Sequence, residues 1–289
     1  MDKKHIFIMK PNLQNSKIKT MIVNAMEGYH YEIKYTKYPR HATKIAKSYQ
    51  KCNYRIYAVG GDGMIHEIVQ GLIGSNNELV VIPAGTGNDF IRTISHINDP
   101  YKLLKMSLNL KSQSIDLIKV NDIYCINVFC CAFDSDIANN VHNYQQIKYL
   151  PQALQYANVL IRRISKYRLY PTSLYYEGKK IYEGNLIVGA FCNGKYFGGG
   201  FKIGKKADLN DGFIDINLVS GLKRRTIPYY LFLLFSGKLE SGKLYYHNKL
   251  KEIDLETKQD VNIDGETYSP GKYHLEIVKD LLKVVIYKK

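Results

Sequence analysis

The chain has 289 residues, 45% hydrophobic and 23% charged, an ordinary globular composition that excludes fibrous and fully disordered proteins. This length could bury one large core or two smaller ones, and we expect two domains. The net charge of +15 predicts attraction to polyanions, meaning nucleic acid, nucleotides or an anionic membrane. No helix-turn-helix, zinc-finger or RNP pattern accompanies the charge, so we expect no nucleic-acid partner.

The apolar run at residues 229–235 is far too short to span a bilayer, and the first residues show no signal-peptide pattern. The sequence therefore predicts a cytoplasmic protein. The odd number of cysteines, without metal-ligand spacing, indicates reduced thiols in the core. These are Cys52, Cys125, Cys130, Cys131 and Cys192.

Strands and helices alternate in the first part of the chain. Apolar runs predict strands at residues 5–9, 31–36 and 56–59. Between them, helical spacing of apolar residues occurs at Ile18, Met21, Ile22 and Ala25, and again at Ala42, Ile45, Ala46 and Tyr49. The order βαβαβ predicts a doubly wound parallel sheet with right-handed crossovers.

A glycine turn follows the third strand, at Gly60, Gly61, Asp62 and Gly63. Glycines between a strand and a helix allow close backbone approach, and the helix start offers N–H groups to a phosphate. The turn matches neither GxGxxG nor the P-loop. Asp62 has two interpretations: it lies beside a magnesium-nucleotide, or it caps the helix that begins near Met64. The helix buries Ile65, Ile68, Val69 and Leu72.

A second glycine turn, PAGTGNDF at residues 83–90, follows an apolar strand at residues 79–82. Its Asn88 and Asp89 could cap the next helix, while its glycines and hydroxyl could contact phosphate. Parallel sheets bind ligands at the carboxyl ends of their strands. Two such turns on neighbouring strands therefore predict a phosphate-binding site at this edge.

The segments GGDGMIHEIVQGL and PAGTGNDF resemble the diacylglycerol kinase catalytic family, whose patterns are GGDGTxNEVxNGL and PxGTGNDFAR. Its soluble bacterial lipid kinases, which act on diacylglycerol or resemble sphingosine kinases, are the most similar members. NAD kinases and phosphofructokinases share the GGDG turn but lack GTGNDF. The resemblance implies ATP and Mg2+ as cofactors. The nucleotide contacts it implies are Thr36, Gly60, Gly61, Asp62, Gly63, Glu67, Gly85, Thr86, Gly87, Asn88 and Asp89.

Three positions depart from the family pattern. Relatives carry Asn-Pro-x-Ser-Gly after the first strand, whereas residues 10–14 read KPNLQ. Met64 replaces a threonine and His66 replaces an asparagine. Methionine cannot donate a hydroxyl hydrogen bond to a phosphate, although the backbone amides of the turn stay available. These changes keep altered nucleotide handling open as an interpretation.

From residue 114 onward the chain shows many short apolar segments separated by turn residues, and these predict short strands, among them residues 124–129, 275–278 and 282–287. The fold class predicted is an α/β domain of the NAD kinase/phosphofructokinase-like, doubly wound type followed by a mainly antiparallel β-sandwich. We expect the nucleotide-binding domain at residues 1–118 and the lipid-binding domain at 119–289, with the last strand returning to the first domain and the ligand in the cleft between them. One helical insertion, with an apolar face, is predicted at residues 144–164.

The stretch ADLNDGF at residues 207–213 resembles a family turn that holds a structural magnesium ion in soluble bacterial members. The resemblance implies Asp208, Asp211 and the carbonyl of Phe213 as metal ligands, since Mg2+ prefers oxygen. An Asx turn formed by Asp211 is the alternative.

Asp264, Gly265 and Glu266 lie between two predicted strands, where Asp-Gly by itself indicates a hairpin turn. In the family this turn supplies the group that takes the proton from the acceptor hydroxyl. Asp264 or Glu266 is therefore the candidate base, and Asp62 completes the predicted catalytic set.

The resemblance as a whole implies ATP- and Mg-dependent phosphorylation of a lipid hydroxyl, with diacylglycerol as the first choice of acceptor. Sphingosine or another lipid, a NAD kinase-like reaction, and a non-catalytic nucleotide- or lipid-binding protein stay open as alternatives. The expected partners are ATP and a lipid at an anionic membrane surface, with peripheral membrane association. A homodimer is common among the resembling enzymes.

Overall fold

The computed structural model describes residues 3–140, 171–220 and 226–288. The chain divides into two compact units, one formed by Met1–Leu117 with Lys279–Lys289 and the other by Ile118–Val278. The predicted helical insertion at residues 144–164 lies outside the described residues. No described helix combines the length and apolar character needed to cross a membrane.

The first unit contains a parallel sheet. Its strands are β1 (His5–Met9), β2 (Tyr31–Tyr35), β3 (Arg55–Gly60) and β4 (Glu78–Pro83), in the order β2-β1-β3-β4. The end of a late strand, here labelled β15 (Gly271–Val285), adds in parallel beside β4. Its helices are α1 (Lys17–Ala25), α2 (His41–Ser48), α3 (Asp62–Leu72), α4 (Asp89–Ile94) and α5 (Pro100–Asn109). This confirms the predicted doubly wound α/β fold.

Strands β1, β3 and β4 are buried along their whole length, because a parallel sheet is covered on both faces. An ion pair joins the starts of β3 and β4, where Arg55 lies opposite Glu78 in the register. The Arg55 guanidinium lies 2.7 Å from the Glu78 carboxylate, and both side chains are buried. Arg55 also donates to the backbone carbonyls of Ser107, in the last turn of α5, and of Leu110, directly after that helix.

The second unit is a β-sandwich, as predicted, and its pairs are antiparallel. Its elements are β5 (Ser112–Val120, which begins in the first unit), β6 (Ile123–Cys125), β7 (Val128–Cys130), α6 (Phe133–Asn140), β8 (Pro171–Tyr176), β9 (Lys179–Cys192), β10 (Ile214–Ser220), α7 (Ile227–Phe235), β11 (Tyr245–Leu250), β12 (Glu252–Thr257), β13 (Val261–Ile263), β14 (Glu266–Tyr268) and the first part of β15. Strand β9 changes partner along its length. Residues 179–185 pair with β8, whereas residues 186–192 pair with β10 and β7.

Two hydrophobic clusters fill the second unit. One contains Phe129, Phe191 and Leu255. The other lies under helix α7 and contains Tyr230 and Leu233. All five cysteines are free thiols, and four of them are buried, as expected of a reduced core.

Two strand predictions in this half were wrong in detail. The sequence predicts one strand over residues 124–129, but the structure has β6 and β7 with a break between them, because the amides at the break turn towards the Asp264 carboxylate. It also predicts separate strands at residues 275–278 and 282–287. These form the single strand β15, in which the Asp280 amide donates to the buried carboxylate of Asp116 at 3.0 Å.

Candidate functional site

The carboxyl ends of the parallel strands lie in one row. The register pairs Met9 with Tyr35 and with Val59, and it pairs Gly60 with Pro83. The residues that follow these strands are therefore neighbours along one edge of the sheet. Thr36 begins directly after β2, where its amide donates to the Met9 carbonyl at 2.9 Å and its side chain is buried.

The two glycine turns contact each other. A Cβ atom built on Gly85 would lie 2.4 Å from the Cα atom of Gly61 and 2.8 Å from its nitrogen. No side chain fits at such distances from a backbone. Gly85 therefore has to be glycine for the turn after β3 and the turn after β4 to come this close.

Asp62 links the two turns through its carboxylate. Its Oδ1 accepts the amide N–H groups of Asp89 at 2.9 Å and Phe90 at 3.0 Å, and its Oδ2 lies 3.1 Å from the Asp89 nitrogen. These amides are the first two of helix α4, so Asp62 caps that helix. The carboxylate also places a negative charge at the positive end of the α4 dipole.

The GTGND segment is held by its own side chains. Asn88 has a left-handed backbone with φ 53°, and its Nδ2 donates to the Gly85 carbonyl at 2.8 Å while its Oδ1 accepts from the Gly85 amide at 3.2 Å. Thr86 lies exposed at the tip of this loop. Within the described part of the chain, no group hydrogen-bonds to the Thr86 hydroxyl, so that hydroxyl is available to a ligand.

Arg92 stabilises the same loop from helix α4. Its Nη1 donates to Asp89 Oδ1 and to the Asn88 carbonyl, each at 3.1 Å, and to the Gly87 carbonyl. Arg92 matches the arginine that ends the family pattern PxGTGNDFAR, and the pattern by itself assigns it no role. The signal was present, because a basic residue three positions after an acidic one on a helix faces it.

Glu67, which the resemblance places at the nucleotide, binds backbone amides in the structure. Its carboxylate accepts from Arg40 at 2.9 Å and from Ala42 at 3.0 Å. It therefore caps helix α2, whose N-cap residue Arg40 has φ 64°. Glu67 fixes the loop that leads from Thr36 into α2, and any contact of its own with a nucleotide stays a prediction.

The two unusual side chains near the first turn face the interior. Met64 is 5% exposed and His66 is 4% exposed. A Cβ atom on Gly60 would lie 2.7 Å from the Met64 Cβ, which places Met64 directly beneath the turn. The exposed surface of this turn therefore consists of Asp62 and the glycine backbone, and it does not include the two substituted side chains.

In the second unit, the Asp264 carboxylate is buried and surrounded by donors. Its Oδ1 accepts from the amides of Asn127 at 2.8 Å and Val128 at 3.1 Å, and its Oδ2 accepts from the Ile126 amide at 2.9 Å. The Cys125 thiol also lies 3.2 Å from Oδ1. Asp264 thus holds the bend between β6 and β7.

Glu266 differs from Asp264 although it is only two residues away. It is exposed at the start of β14, and no described residue hydrogen-bonds to its carboxylate. Ile263 pairs with Glu266 across the turn, so Asp264 and Gly265 form a two-residue hairpin. The hairpin alternative is therefore also correct, and the geometry leaves Glu266 as the carboxylate accessible to a ligand.

The predicted metal turn is occupied by protein groups. Asp211 Oδ1 accepts the Phe213 amide at 3.1 Å, and its Oδ2 pairs with the Lys249 ammonium. Asp208 Oδ1 accepts the Asn210 amide at 3.0 Å. Both aspartates form Asx-type turns, and no group of three His, Cys, Asp or Glu side chains suited to a metal occurs among the described residues. A structural cation at this turn stays a prediction.

Sequence reasoning missed the buried carboxyl group of Asp134. It accepts the amides of Ala132 at 2.9 Å, Ser135 at 3.0 Å and Gly189 at 3.1 Å. Burial raises the pKa of Asp134 to about 6, against the opposing effect of these three hydrogen bonds. No sequence pattern could have identified this role, because burial is not visible in a sequence.

Comparison with known families follows the two units closely. Residues 12–120 match the diacylglycerol kinase catalytic domain, and residues 131–286 match the YegS C-terminal NAD kinase beta sandwich-like domain, which by itself spans more than half of the chain. The chain belongs to this lipid kinase family. It is therefore an enzyme of the lipid kinase class, as the two glycine turns predicted.

A curated relative agrees with the assignment, and solved structures share the fold. A protein of Shewanella frigidimarina named "Probable lipid kinase YegS-like" is 28% identical over 80% of this lipid kinase chain and 76% of its own length. A crystal structure of a diacylglycerol kinase from Bacillus anthracis is 22% identical, covers 98% of this chain and 97% of its own, and has a TM-score of 0.75. An NAD kinase from Archaeoglobus fulgidus in complex with ATP is 12% identical with a TM-score of 0.56 over 99% of this chain and 94% of its own, which shows the fold alone.

Proposed function

We propose that this lipid kinase transfers the γ-phosphoryl group of ATP to the hydroxyl of diacylglycerol and so forms phosphatidic acid. The observation that carries the proposal is the Asp62 carboxylate, which joins the two glycine turns at the carboxyl edge of the parallel sheet. Support for ATP comes from the family and from the ATP complex of the structurally similar NAD kinase. Support for diacylglycerol comes from the description of the matching catalytic domain.

The glycine turns would bind the phosphates of ATP through backbone amides. Helix α3 begins at Asp62, and the first N–H groups of a helix have no partner within it. Together with the positive end of the helix dipole they form an anion site. The free hydroxyl of Thr86, at the tip of the second turn, would donate to the same phosphates. Both turns would bind the same ATP molecule, because the backbones of Gly61 and Gly85 lie so close together that a Cβ atom does not fit between them.

The residues present fit a magnesium ion that arrives with ATP. Mg2+ usually keeps several waters and binds through one or two carboxylates plus the phosphates of its substrate. Asp62 would be that carboxylate, because it lies at the start of α3, beside the backbone amides that would bind the phosphates. When bound, Mg2+ neutralises charge on the phosphates.

Glu266 would be the general base. It is exposed and has no hydrogen-bond donor among the described residues, whereas the Asp264 oxygens accept three backbone amides. A bond would form between the acceptor oxygen and the γ-phosphorus as the bond from that phosphorus to the leaving β,γ-bridging oxygen breaks. The hydroxyl proton would pass to Glu266.

The proposal is tested by phosphate transfer from radiolabelled ATP with Mg2+ to diacylglycerol, monoacylglycerol, sphingosine, phosphatidylglycerol and NAD. We expect labelled phosphatidic acid from the wild type. Glu266→Gln should lower the rate of phosphate transfer by about 100-fold or more, because general-base catalysis typically contributes about 10²- to 10⁴-fold to a rate. Glu252→Gln is the matched control, because Glu252 is also an exposed glutamate at the start of a strand in the second unit. It should keep the wild-type rate.

The panel also decides between the alternatives. Label in sphingosine or NAD instead of diacylglycerol would replace the proposed acceptor. ATP binding without any labelled product would favour a non-catalytic binding protein. Equal activity of Glu266→Gln and Glu252→Gln would remove Glu266 from the mechanism. The expected homodimer is a separate question, which sedimentation velocity at several concentrations answers.

A further inference from the structure

Helix α7 (Ile227–Phe235) contains no charged residue and no polar residue other than tyrosine, with the sequence IPYYLFLLF. One face of it is buried in the second unit. Tyr230, Leu233 and Leu234 are 4%, 5% and 7% exposed and belong to one core cluster, at the spacing of a helix face. The buried face contains only some of the apolar side chains of α7.

The other face carries large aromatic side chains in contact with solvent. Phe232 is 65% exposed and Tyr229 is 53% exposed. A helix on a water-exposed surface normally carries charged residues at these positions. Two more exposed apolar side chains follow in the next segment, Leu244 at 39% and Tyr246 at 53%. Exposed apolar residues concentrated in this way indicate an interaction surface.

Helix α7 is fixed in place by contacts with the segment that follows it. The Tyr230 hydroxyl accepts the Leu244 amide N–H at 2.7 Å, and the Lys238 amide donates to the Leu233 carbonyl at 2.7 Å. A Cβ atom on Gly242 would lie 2.5 Å from the Tyr230 ring, so the segment after the helix packs directly on it. Phe232 is therefore exposed on a fixed helix.

The segment that carries the exposed aromatics is positively charged. Residues 226–251 contain four lysines and one acidic residue, Glu240, which gives a net charge of +3. Glu240 pairs with Lys205 at 2.9 Å, and Lys249 pairs with Asp211, with both partners lying outside this segment. Lys238 and Lys243 are exposed, and no described acidic residue forms an ion pair with either. The whole chain, including this segment, has a net charge of +15.

We propose that α7 docks this enzyme on an anionic lipid bilayer, with Tyr229 and Phe232 inserted among the acyl chains and Lys238 and Lys243 beside the lipid phosphates. Helices with exposed aromatics and flanking lysines bind in the interface plane of membranes. A second copy of the chain would fit less well, because it brings another +15 charges to a positively charged surface. The inference rests on the proposed function, since a lipid acceptor lies in the bilayer.

The chain contains no tryptophan, so a single substitution creates a unique fluorescent reporter. Phe232→Trp places it on the exposed face of α7. Tyr101→Trp is the matched control, because Tyr101 is 50% exposed on helix α5 of the first unit. With vesicles of brominated phosphatidylglycerol, we expect a blue shift and at least twofold quenching of the tryptophan at position 232, and no change at position 101.

A second variant measures affinity. Tyr229→Ser with Phe232→Ser should weaken sedimentation with phosphatidylglycerol vesicles at least tenfold, with circular dichroism unchanged because both side chains are exposed. Its activity on a short-chain, water-soluble diacylglycerol should equal that of the wild type, while activity on vesicle-embedded acceptor falls.

Three results would overturn the docking proposal. These are no spectral change at position 232, equal quenching at both positions, or a blue shift at position 232 without lipid that accompanies a doubling of mass, which would assign the face to a second copy. Failure of the proposed kinase activity would give a result distinct from failure of membrane docking. In that case the tryptophan at position 232 is quenched by vesicles but no acceptor is phosphorylated.

Discussion

Asp62 and Asp264 each follow a strand, and each uses its carboxylate to hold backbone amides from a distant segment. Asp62 binds the start of α4, and Asp264 binds the bend between β6 and β7. Amide donors fix the position of a carboxylate, and each one uses a lone pair that could otherwise accept a proton or bind a ligand. In the second unit the two acidic residues therefore have different roles. Asp264 fixes the position of the turn, and we assign proton transfer to Glu266.

Asp264→Asn should lower the free energy of unfolding by about 1–3 kcal/mol, because an amide nitrogen facing a backbone N–H leaves a buried donor unsatisfied. Glu266→Gln should change it by less than about 0.5 kcal/mol, as is usual for exposed positions. Urea denaturation of the two variants measures both values. Equal effects would mean that Asp264 is not the structural member of the pair.

Gly85→Ala should abolish measurable ATP binding while the protein stays folded, because the new methyl group would lie 2.4 Å from Gly61 and push the two glycine turns apart. Isothermal titration with ATP and Mg2+ tests this. Gly271→Ala serves as the control, since a Cβ atom there meets no atom within 4 Å. Unchanged affinity in Gly85→Ala would show that the contact between the turns is unnecessary.

At the scale of elements, the register of the parallel sheet places the functional turns. Gly60 and Pro83 are paired at the carboxyl ends of β3 and β4, so the loops that follow must be neighbours. The opposite ends of the same two strands are joined by the buried Arg55–Glu78 pair. Glu78 also accepts from Lys3 at 2.7 Å and from Ser112 at 2.9 Å, and the hydrogen bonds to Lys3 and Arg55 hold its pKa below the ordinary value despite burial.

Arg55→Met should lower the free energy of unfolding by about 3 kcal/mol. Removal of one partner from a buried ion pair typically costs about 3–5 kcal/mol. The lower value applies here because Lys3 still neutralises Glu78. Thermal or urea unfolding gives the value. Lys119→Met removes one partner of the half-exposed Lys119–Glu276 pair and should cost less than about 1 kcal/mol. If Arg55→Met were as mild as Lys119→Met, the buried pair would not stabilise the sheet.

At the scale of the whole molecule, the stability of the fold should depend on pH through Asp134. Its pKa is raised from 3.8 to about 6 by burial, so the folded state binds the proton more tightly than the unfolded chain does. The stabilising contribution is complete below pH 3.8 and is lost as the pH rises through 6. A shift of this size corresponds to about 3 kcal/mol.

Urea unfolding of wild type and Asp134→Asn between pH 4 and 7 isolates this contribution, because asparagine does not titrate. The stability of the wild type relative to the variant should fall by up to about 3 kcal/mol as the pH rises, and then stay level. A difference that does not change with pH would show that Asp134 keeps an ordinary pKa in the folded protein.

The sequence by itself determined the family, the alternation of strands and helices in the first unit, and the two glycine turns. These features are local: an apolar run, a helical spacing or a turn needs only residues close together in the chain. The same local reasoning misplaced the ends of strands in the second unit, where β6 and β7 are separated by a bend whose partner, Asp264, is up to 138 residues away.

Tertiary structure alone decided what each candidate side chain does. Asp62 reaches amides 27 and 28 residues away, and Glu67 reaches amides 25 and 27 residues away, so neither partner could be deduced from spacing. The burial of Asp264 and the exposure of Glu266, two residues apart, depend on how β13 packs against β7. The exposed aromatic face of α7 was equally hidden, because an apolar sequence does not reveal which of its faces the core covers.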